Sequence, residues 1–487
     1  MTGSSTDPES ILERLRSLRA ADAPTHGGRV LSYVYDPDDE RLDALAGEAI
    51  RLVQPVNGLD PTVFPSAAAL ERDVIGFVRR ILGGGDDVVG TVTSGGTESC
   101  MLAVKTARDA WLAARDLRPG EARPRLVAPT TVHAAFHKAA EYLGLELDRV
   151  PVGPDGTPAA ADLAARFGDD VALVVVSAVS YPHSVLDPVA EVAALAESAG
   201  LPVHVDACVG GLVLPFWPGL PAWDFRVPGV VSMSADLHKY GYAPKGASVL
   251  LQRGRDRQRK QYFATKRWPG YPVVNPTVLG SRSISALAAA WAILEALGEA
   301  GYRDRVDAAR RATEAIVDRV RGIPGLRVVG DPVGPMLAVA LDERVPPHER
   351  VDPHHWADAV RRRGFVLQQQ PGFEQEGGVR LPRTTHLTVT PVTERVLPEL
   401  LPALEAGAAE VRGVPPVDGG ELLASLALPD GPIDSETALA MLGGFGIGEG
   451  GGLPSDTAPL LAVIEALPPE LAERLLVELL ARLVEPR

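Results

Sequence analysis

Short apolar runs alternate with amphipathic stretches through the first two thirds of this chain. Val88 to Thr93, Arg125 to Ala128, Val171 to Val179, Val203 to Val209 and the run opening at Val230 are nearly unbroken in apolar character. Strands read this way when both faces of a sheet are covered. Between them, Ala67 to Leu82, Glu98 to about Asp116, Ala134 to Leu143 and Val189 to Ser198 place apolar residues at helical spacing. Strand followed by helix, repeated, predicts an α/β domain with a mainly parallel sheet. Within Val230 to Leu251, VVSMSADLHKYGYAPKGASVLL, a strand ends in a turn at Ala235-Asp236 and a second begins at Ala247. His238 and Lys239 fall just past the first strand end.

The flanks follow other patterns. Residues 1–65 carry one helical pattern, Ile11 to Ala20, and then a Gly-, Pro- and Asp-rich stretch with little periodicity. Residues 66–295 form the large domain, closed by an apolar connector helix from Ile284 to about Leu297. Residues 296–412 predict a smaller α+β domain: helix 302–322, strands Leu326 to Val329 and Met336 to Leu341, helix 353–363, strand His386 to Val389 and helix 394–411. Residues 413–487 are an appended tail, rich in Pro and Gly (GGFGIGEGGG at 443–452) and ending in a helix from Glu470 to Leu483. It is expected to be an oligomer contact or a lid, and no internal repeat is evident.

Charge and cysteines narrow the field. Asp plus Glu number 63 against 48 Lys plus Arg, a net charge of −15. That balance argues against nucleic acid or an anionic membrane as the main partner. The basic run Arg253 to Arg267 is too short and isolated to reverse it. The opening MTGSSTDPESILERLRSL lacks the apolar core of a signal peptide, and no run approaches membrane-spanning length, so no anchor is expected. Cys100 and Cys208 sit in neither CxxC nor metal-ligand spacing. A cytoplasmic protein without a metal site is the expectation.

The chain has only six lysines: Lys105, Lys138, Lys239, Lys245, Lys260 and Lys266. Lys105 and Lys138 fall in helical patterns, and Lys260 and Lys266 in the charged run, which leaves Lys239 and Lys245 for covalent chemistry. A lysine on a turn between buried strands is expected to be desolvated, with a lowered pKa and a nucleophilic amine. An ion-paired structural lysine is the competing reading. Three other pieces converge. Thr93-Ser94-Gly95-Gly96-Thr97-Glu98 is a glycine-rich turn opening a long helix, suited to a phosphate, although such turns also simply start helices. Asp206 in HVDA ends an apolar strand, where a carboxylate wants a cation such as a protonated pyridine nitrogen, or else caps the next turn. His133, after the Arg125–Ala128 strand, is placed either to stack on a flat cofactor or to cap a helix. Lys239 follows Asp206 by 33 residues, room for both to reach one sheet edge.

SGGTES, HVDACVGG and SADLHKYGYAPKG, with FPSAAALERDV at 64–74, GSRSISALAAAWAIL at 280–294 and HLTVTP at 386–391, resemble the pyridoxal-phosphate enzymes of fold type I. Within these the chain is similar to the group II decarboxylases, most closely their sphingosine-1-phosphate lyase branch, from about Gly28 to Val411. The resemblance implies the aspartate aminotransferase-like fold, pyridoxal 5′-phosphate as cofactor, and Lys239 as the Schiff-base lysine. It further implies Asp206 at the pyridine nitrogen, His133 stacked on the ring, and Gly96, Thr97 and His238 on the cofactor phosphate. Tyr35 and Lys245 match positions that handle the substrate and its phosphate. It also implies a homodimer in which Tyr35 reaches the neighbouring active site.

One departure concerns the substrate. Where the lyases read NPLHP, this chain reads NGLDP at 57–61, keeping Asn57 but placing Asp60 where a histidine helps to bind phosphate. SAVSYPHS at 177–184 also replaces the family's SAPNYPHG. An anion there repels a phosphate, by roughly 1 kcal/mol in water and about 4 in a protein-like medium at about 4 Å, or pairs with Lys245 and cancels it, or receives a cationic group of the substrate. The leading expectation is therefore decarboxylation of a non-phosphorylated amino acid. Retro-aldol cleavage of a phosphorylated long-chain amino alcohol is the alternative, and an aminotransferase or a non-catalytic scaffold are further ones.

Overall fold

The computed structural model describes residues 7–424, 433–444 and 455–486; residues 445–452 of the Gly-rich stretch lie outside them. Helices α1 (Pro8–Arg19) and α2 (Glu40–Val53) precede the large domain. That domain runs α3 (Pro65–Ile81), β1 (Val88–Thr93), α4 (Gly96–Ala113), β2 (Arg125–Pro129), α5 (Ala134–Leu143), β3 (Glu146–Val150), α6 (Ala160–Ala164) and β4 (Val171–Ser177). It continues with α7 (Val189–Ser198), β5 (Val203–Asp206), β6 (Val230–Ala235), β7 (Ser248–Arg253), α8 (Arg255–Arg259) and a hairpin of β8 (Phe263–Thr265) and β9 (Val273–Asn275). The seven-stranded sheet has the order β1-β7-β6-β5-β4-β2-β3. Only β7 runs against its neighbours β1 and β6. The mainly parallel sheet is therefore as expected, and β4, buried at every residue, shows why its sequence is unbroken VALVVV.

Helix α9 (Ser285–Arg321) joins the two domains and breaks at Gly298, whose φ of 53° is left-handed. The two arms correspond to the connector and the helix expected after it. The first arm buries Leu287, Ile293 and Leu294 in the large core, and the second buries Ala312, Ile316 and Val320 in the small one. The small domain then adds β10 (Leu326–Val328), β11 (Met336–Leu341), α10 (Pro353–Arg361), β12 (Gln368–Gln370), β13 (Thr384–Thr388) and α11 (Thr393–Val411), with sheet order β10-β11-β13-β12.

The N-terminal segment is not a separate unit. Leu31 belongs to the small-domain core, its N–H donates to Val366 O at 2.8 Å, and its carbonyl accepts from Thr388 N–H at 2.8 Å. This pairing delivers Tyr33 and Tyr35 to the boundary between the domains. Several elements escaped the sequence pattern, some for identifiable reasons. Helix α2 buries only Leu42 and Ala46, so its apolar stripe is thin. Strands β3 (ELDRV) and β12 (QQQ) are polar edge strands, and β8, paired with three-residue β9, lies inside the charged run. The tail holds α12 (Gly419–Ala424), α13 (Ser435–Gly444) and α14 (Ala458–Ala466) besides the expected last helix, α15 (Pro469–Leu483). Leu423, Ala438, Leu442, Val463, Leu467 and Leu475 give these helices a small core of their own.

Candidate active site

The carboxyl ends of β1, β2, β5 and β6 all face one edge of the sheet, where open α/β sheets bind ligands. They present the Ser94–Thr97 turn, His133, Asp206 and the Asp236–Lys239 turn, as the sequence expected.

Asp206 is oriented from behind. Its Oδ1 accepts from the Cys208 N–H at 3.0 Å and from the Ser234 hydroxyl at 3.1 Å. Ser234 also meets Nε2 of His204 at 3.3 Å, while Nδ1 of His204 lies 2.9 Å from Ser232 Oγ. The register makes this network, because His204 pairs with Ser232 and Asp206 with Ser234 across β5 and β6. Residues two apart share a face, so both pairs stack on one side of the sheet. Burial pushes the His204 imidazole down to about 4, so it stays neutral. The second oxygen of Asp206 receives no hydrogen bond from the described residues, which leaves an acceptor aimed at the site. The thiols of Cys100 and Cys208, both free, lie within 4.8 Å of the Asp206 carboxylate and of each other, a proximity their spacing concealed.

Lys239 departs from expectation. Burial, the largest single influence, pushes its pKa down, but the Asp236 carboxylate at 3.0 Å together with Cys208, Tyr35 and Asp206 outweighs it and holds the amine well above its ordinary value. Asp236 is correspondingly held below the usual carboxylate range: burial opposes its charge, and Lys239 and His238 overcome the opposition. The lysine is thus an ion-paired ammonium rather than a depressed one. Asp236 Oδ1 is buried without a partner among the described residues, an orphan that a polar ligand group would satisfy.

Helix α4 starts at Gly96 with no side chain capping it, so its first N–H groups are free for an anion. Gly96 is required there, since a Cβ would come within 2.7 Å of Asp236 Oδ2 and 2.8 Å of Cys208 Sγ. His238 packs on the same turn. Its Nδ1 accepts from Gly246 N–H at 3.2 Å and Ala247 N–H at 3.3 Å, which places its proton on Nε2, 3.5 Å from Asp236. Thr97 is exposed in the first turn of α4. Glu98, which the sequence did not single out, is buried and fixes the turn by accepting from Ser94 N–H at 2.6 Å and Val278 N–H at 2.6 Å.

The remaining expected residues divide. His133 is exposed and caps α5, its Nδ1 accepting from Ala135 N–H at 3.1 Å. Capping leaves the ring face free at the expected edge, so the two readings of this residue are compatible. Lys245 lies 4.7 Å over the Tyr35 ring and donates to His238 O at 2.9 Å. Tyr35 therefore meets Lys245 within its own chain and needs no second copy for that contact. Asn57 spends its amide on structure: Oδ1 accepts from Leu59 N–H at 3.0 Å and Arg282 N–H at 3.2 Å, and Nδ2 donates to Ser281 at 3.2 Å. Asp60 does not pair with Lys245. Its carboxylate folds back on its own loop, accepting from the Thr62 N–H at 2.8 Å and hydroxyl at 2.6 Å. Beside Lys245 and Ser94 lies a cavity of about 320 Å³ with apolar walls that include Ile50, Leu279, Ile284 and Leu287.

An unpartnered carboxylate oxygen at a strand end, an uncapped helix N-terminus and a lysine between them fit a phosphorylated pyridine aldehyde. The comparisons agree. Residues 32–336 match the model of the pyridoxal-dependent decarboxylase conserved domain, and residues 420–482 that of a pyridoxal-dependent enzyme C-terminal putative HTH domain. A sphingosine-1-phosphate lyase of Dictyostelium discoideum is 38% identical over 69% of this chain and 63% of its own length. The chain thus spans somewhat under two thirds of that relative. A probable L-tyrosine/L-aspartate decarboxylase of Methanothrix thermoacetophila is 32% identical over 69% of this chain and 83% of its own. The solved sphingosine-1-phosphate lyase of Burkholderia pseudomallei is 31% identical with a TM-score of 0.75, over 84% of this chain and 91% of that one. The chain belongs to the pyridoxal-dependent decarboxylase family, in its sphingosine-1-phosphate lyase-like branch, and its cofactor is pyridoxal phosphate.

Proposed function

We propose that this pyridoxal-phosphate enzyme is a carbon–carbon lyase that cleaves the Cα–Cβ bond of a phosphorylated amino alcohol, and that Lys239 carries the cofactor. The observation that carries the substrate reading is Lys245 beside Tyr35 at the rim of an apolar-walled cavity, a cation next to a place for an alkyl chain. The likeness to lyases over most of their length supports it. This reverses the preference drawn from sequence. That preference rested on Asp60 standing as an anion where a histidine helps to bind phosphate, able to repel the phosphate or to cancel Lys245; its carboxylate is spent on Thr62 instead. When bound, the cofactor supplies a sink for the electron pair of the breaking Cα bond.

The protein's part is to hold and to move protons. Asp206 would accept a hydrogen bond from the protonated ring nitrogen and so keep the proton on the ring, and the His204–Ser234 network keeps its carboxylate oriented. The N–H groups opening α4, Thr97 and the Nε2 proton of His238 would hold the phosphate, and His133 would lie against the ring. Lys239 Nζ would return to Cα a proton equivalent to the one the substrate hydroxyl gives up as the aldehyde forms. Lys245 and Tyr35 bind the substrate's anionic end, and Asn57 positions the 281–283 loop of the cavity wall. Decarboxylation remains a second reading, favoured by Asp60 where a cation would help to bind phosphate and by the likeness to the archaeal decarboxylase. We also propose a cytoplasmic homodimer, because α1 buries none of its residues and exposes Ile11, Leu12, Leu15 and Leu18. The test is to incubate the protein with sphingosine 1-phosphate and, separately, with free amino acids. Release of a long-chain aldehyde and ethanolamine phosphate is expected. Release of CO₂ from an amino acid, with the phosphate untouched, would reverse the assignment.

A further inference from the structure

The C-terminal helical unit is tied to the small domain by two polar anchors that converge on one strand. Asp358, buried on α10, accepts from the N–H groups of Thr457 at 3.1 Å and Ala458 at 2.9 Å and so caps α14. The Thr457 hydroxyl lies 3.1 Å from that carboxylate and also contacts Gln369 Oε1. Gln369 Nε2 donates to Asp358 at 3.1 Å and to His354 O at 2.9 Å. Glu465, on α14, forms the second anchor. It binds Arg383 at 2.6 Å, pairs with Arg380 and accepts from the Gly372 N–H at 3.2 Å. These partners lie in β12 and in the loop from it to β13.

Strand β12 is a three-residue edge strand with one neighbour, β13. Besides that pairing, His354 and Asp358 of α10 and Thr384 of β13 hold it, and the tail adds Thr457 and Glu465 to that hold. The residue next to Gln369 points elsewhere, as strand alternation requires. Gln368 Oε1 accepts from the Tyr181 hydroxyl at 2.6 Å, and its Nε2 donates to the Tyr33 hydroxyl at 2.9 Å. Tyr181 stacks on buried His386 with centroids 4.5 Å apart. Tyr33 stands two residues before Tyr35, whose ring lies 4.7 Å from the Lys245 amine at the cavity. One amide thus joins Tyr181 to Tyr33, and the strand carrying it is braced by the tail. Duplex reading is a poor alternative for this unit, since residues 413–487 hold twelve carboxylates against three arginines and would repel phosphates.

We propose that the C-terminal unit is a positioning element of the active site: by bracing β12 it holds Gln368, and through Gln368 the phenols of Tyr181 and of Tyr33, which stands two residues from Tyr35 at the Lys245 side of the site. This rests on Lys239 carrying the cofactor, so the test uses a probe indifferent to the substrate. Hydroxylamine attacks pyridoxal phosphate bound to any lysine and strips it, at a rate that reports access to the site. In the full-length holoenzyme, Thr457→Val with Glu465→Gln leaves the cofactor's visible band in place. The same pair raises the stripping rate roughly 3- to 10-fold, the scale of losing one or two hydrogen bonds. Gln368→Ala does the same, and the triple variant is no faster than either, because both act on one contact. Thr457→Ser in place of Val restores the slower rate. Wild-type stripping in the anchor variant, or rate effects that simply multiply in the triple variant, would overturn the proposal. A wild-type protein whose cofactor sits on a lysine other than Lys239, found by borohydride trapping, would show instead that the site reading beneath it is at fault.

Discussion

Lys239 and Asp236 stand three residues apart on one turn, and their 3.0 Å pairing keeps the amine charged until something displaces it. Borohydride reduction of the holoenzyme, followed by peptide mapping, should place the cofactor on Lys239; an adduct on Lys245 would refute the assignment. A second carboxyl is perturbed in the opposite sense. Burial raises Asp187 to about 7, despite the Ser177 N–H, with nearby Asp206 adding to the rise. Its unfolded counterpart titrates near about 3.9. Between those values the folded state binds more protons, so stability falls as pH rises from about 4 to about 7, and the whole penalty, up to roughly 4 kcal/mol, is present above that. Asp187→Asn keeps the acceptor for Ser177 and cannot ionise. It should gain stability over wild type at pH 8 far more than at pH 5 in urea titrations. Equal gains at both would count against this reading.

At the level of elements, two glycines show how differently one residue type is used. Gly298 breaks α9 with φ 53°, and a Cβ there would meet nothing within 4 Å. Gly298→Ala should therefore cost only the backbone penalty of a conformation (φ 53°, ψ −173°) that is nearly confined to glycine, roughly 1–3 kcal/mol, and leave the cofactor band unchanged. A Cβ on Gly210, by contrast, would sit 2.1 Å from the Ala178 carbonyl oxygen. Backbone there cannot yield without moving the loop behind Asp206. Gly210→Ala should lose the band or fail to accumulate as soluble protein, whereas a soluble variant with full cofactor content would contradict this. The strands were legible where burial on both faces wrote continuous apolar runs, as in β4. Strands β3 and β12 were not, because an edge strand can be polar throughout and its existence depends on a partner distant in sequence.

For the whole molecule, every group expected on the cofactor precedes residue 413, while the tail has its own core and anchors on the small domain. Ending the chain at residue 412 should preserve the visible band and loosen only access to the site. Loss of cofactor from a soluble truncated protein would show that the tail builds the pocket itself. The bare apolar face of α1 calls for a second surface, so light scattering should give twice the chain mass. Removal of residues 1–20 should lower it, and an intact chain that is monomeric at full activity would defeat the dimer.

The sequence by itself determined the fold class and the edge of the sheet at which chemistry gathers, because buried parallel strands and a glycine-rich helix start are local patterns with few alternatives. It also marked Lys239 and Asp206, each alone at the end of an apolar strand. Only the tertiary structure decided what surrounds them. Alternating polar residues in HVD and SMS hinted at a shared face, but it is the β5–β6 register that joins His204 and Ser234 to Asp206. The charge state of Lys239 turned on whether Asp236 or the apolar surroundings dominate, a contest of distance rather than composition. Asp60 lost its expected partner to Thr62, and Gln368 found Tyr181 across 187 residues. Such polar contacts carry no periodicity and are fixed by register and packing, so they exist only once the chain has folded.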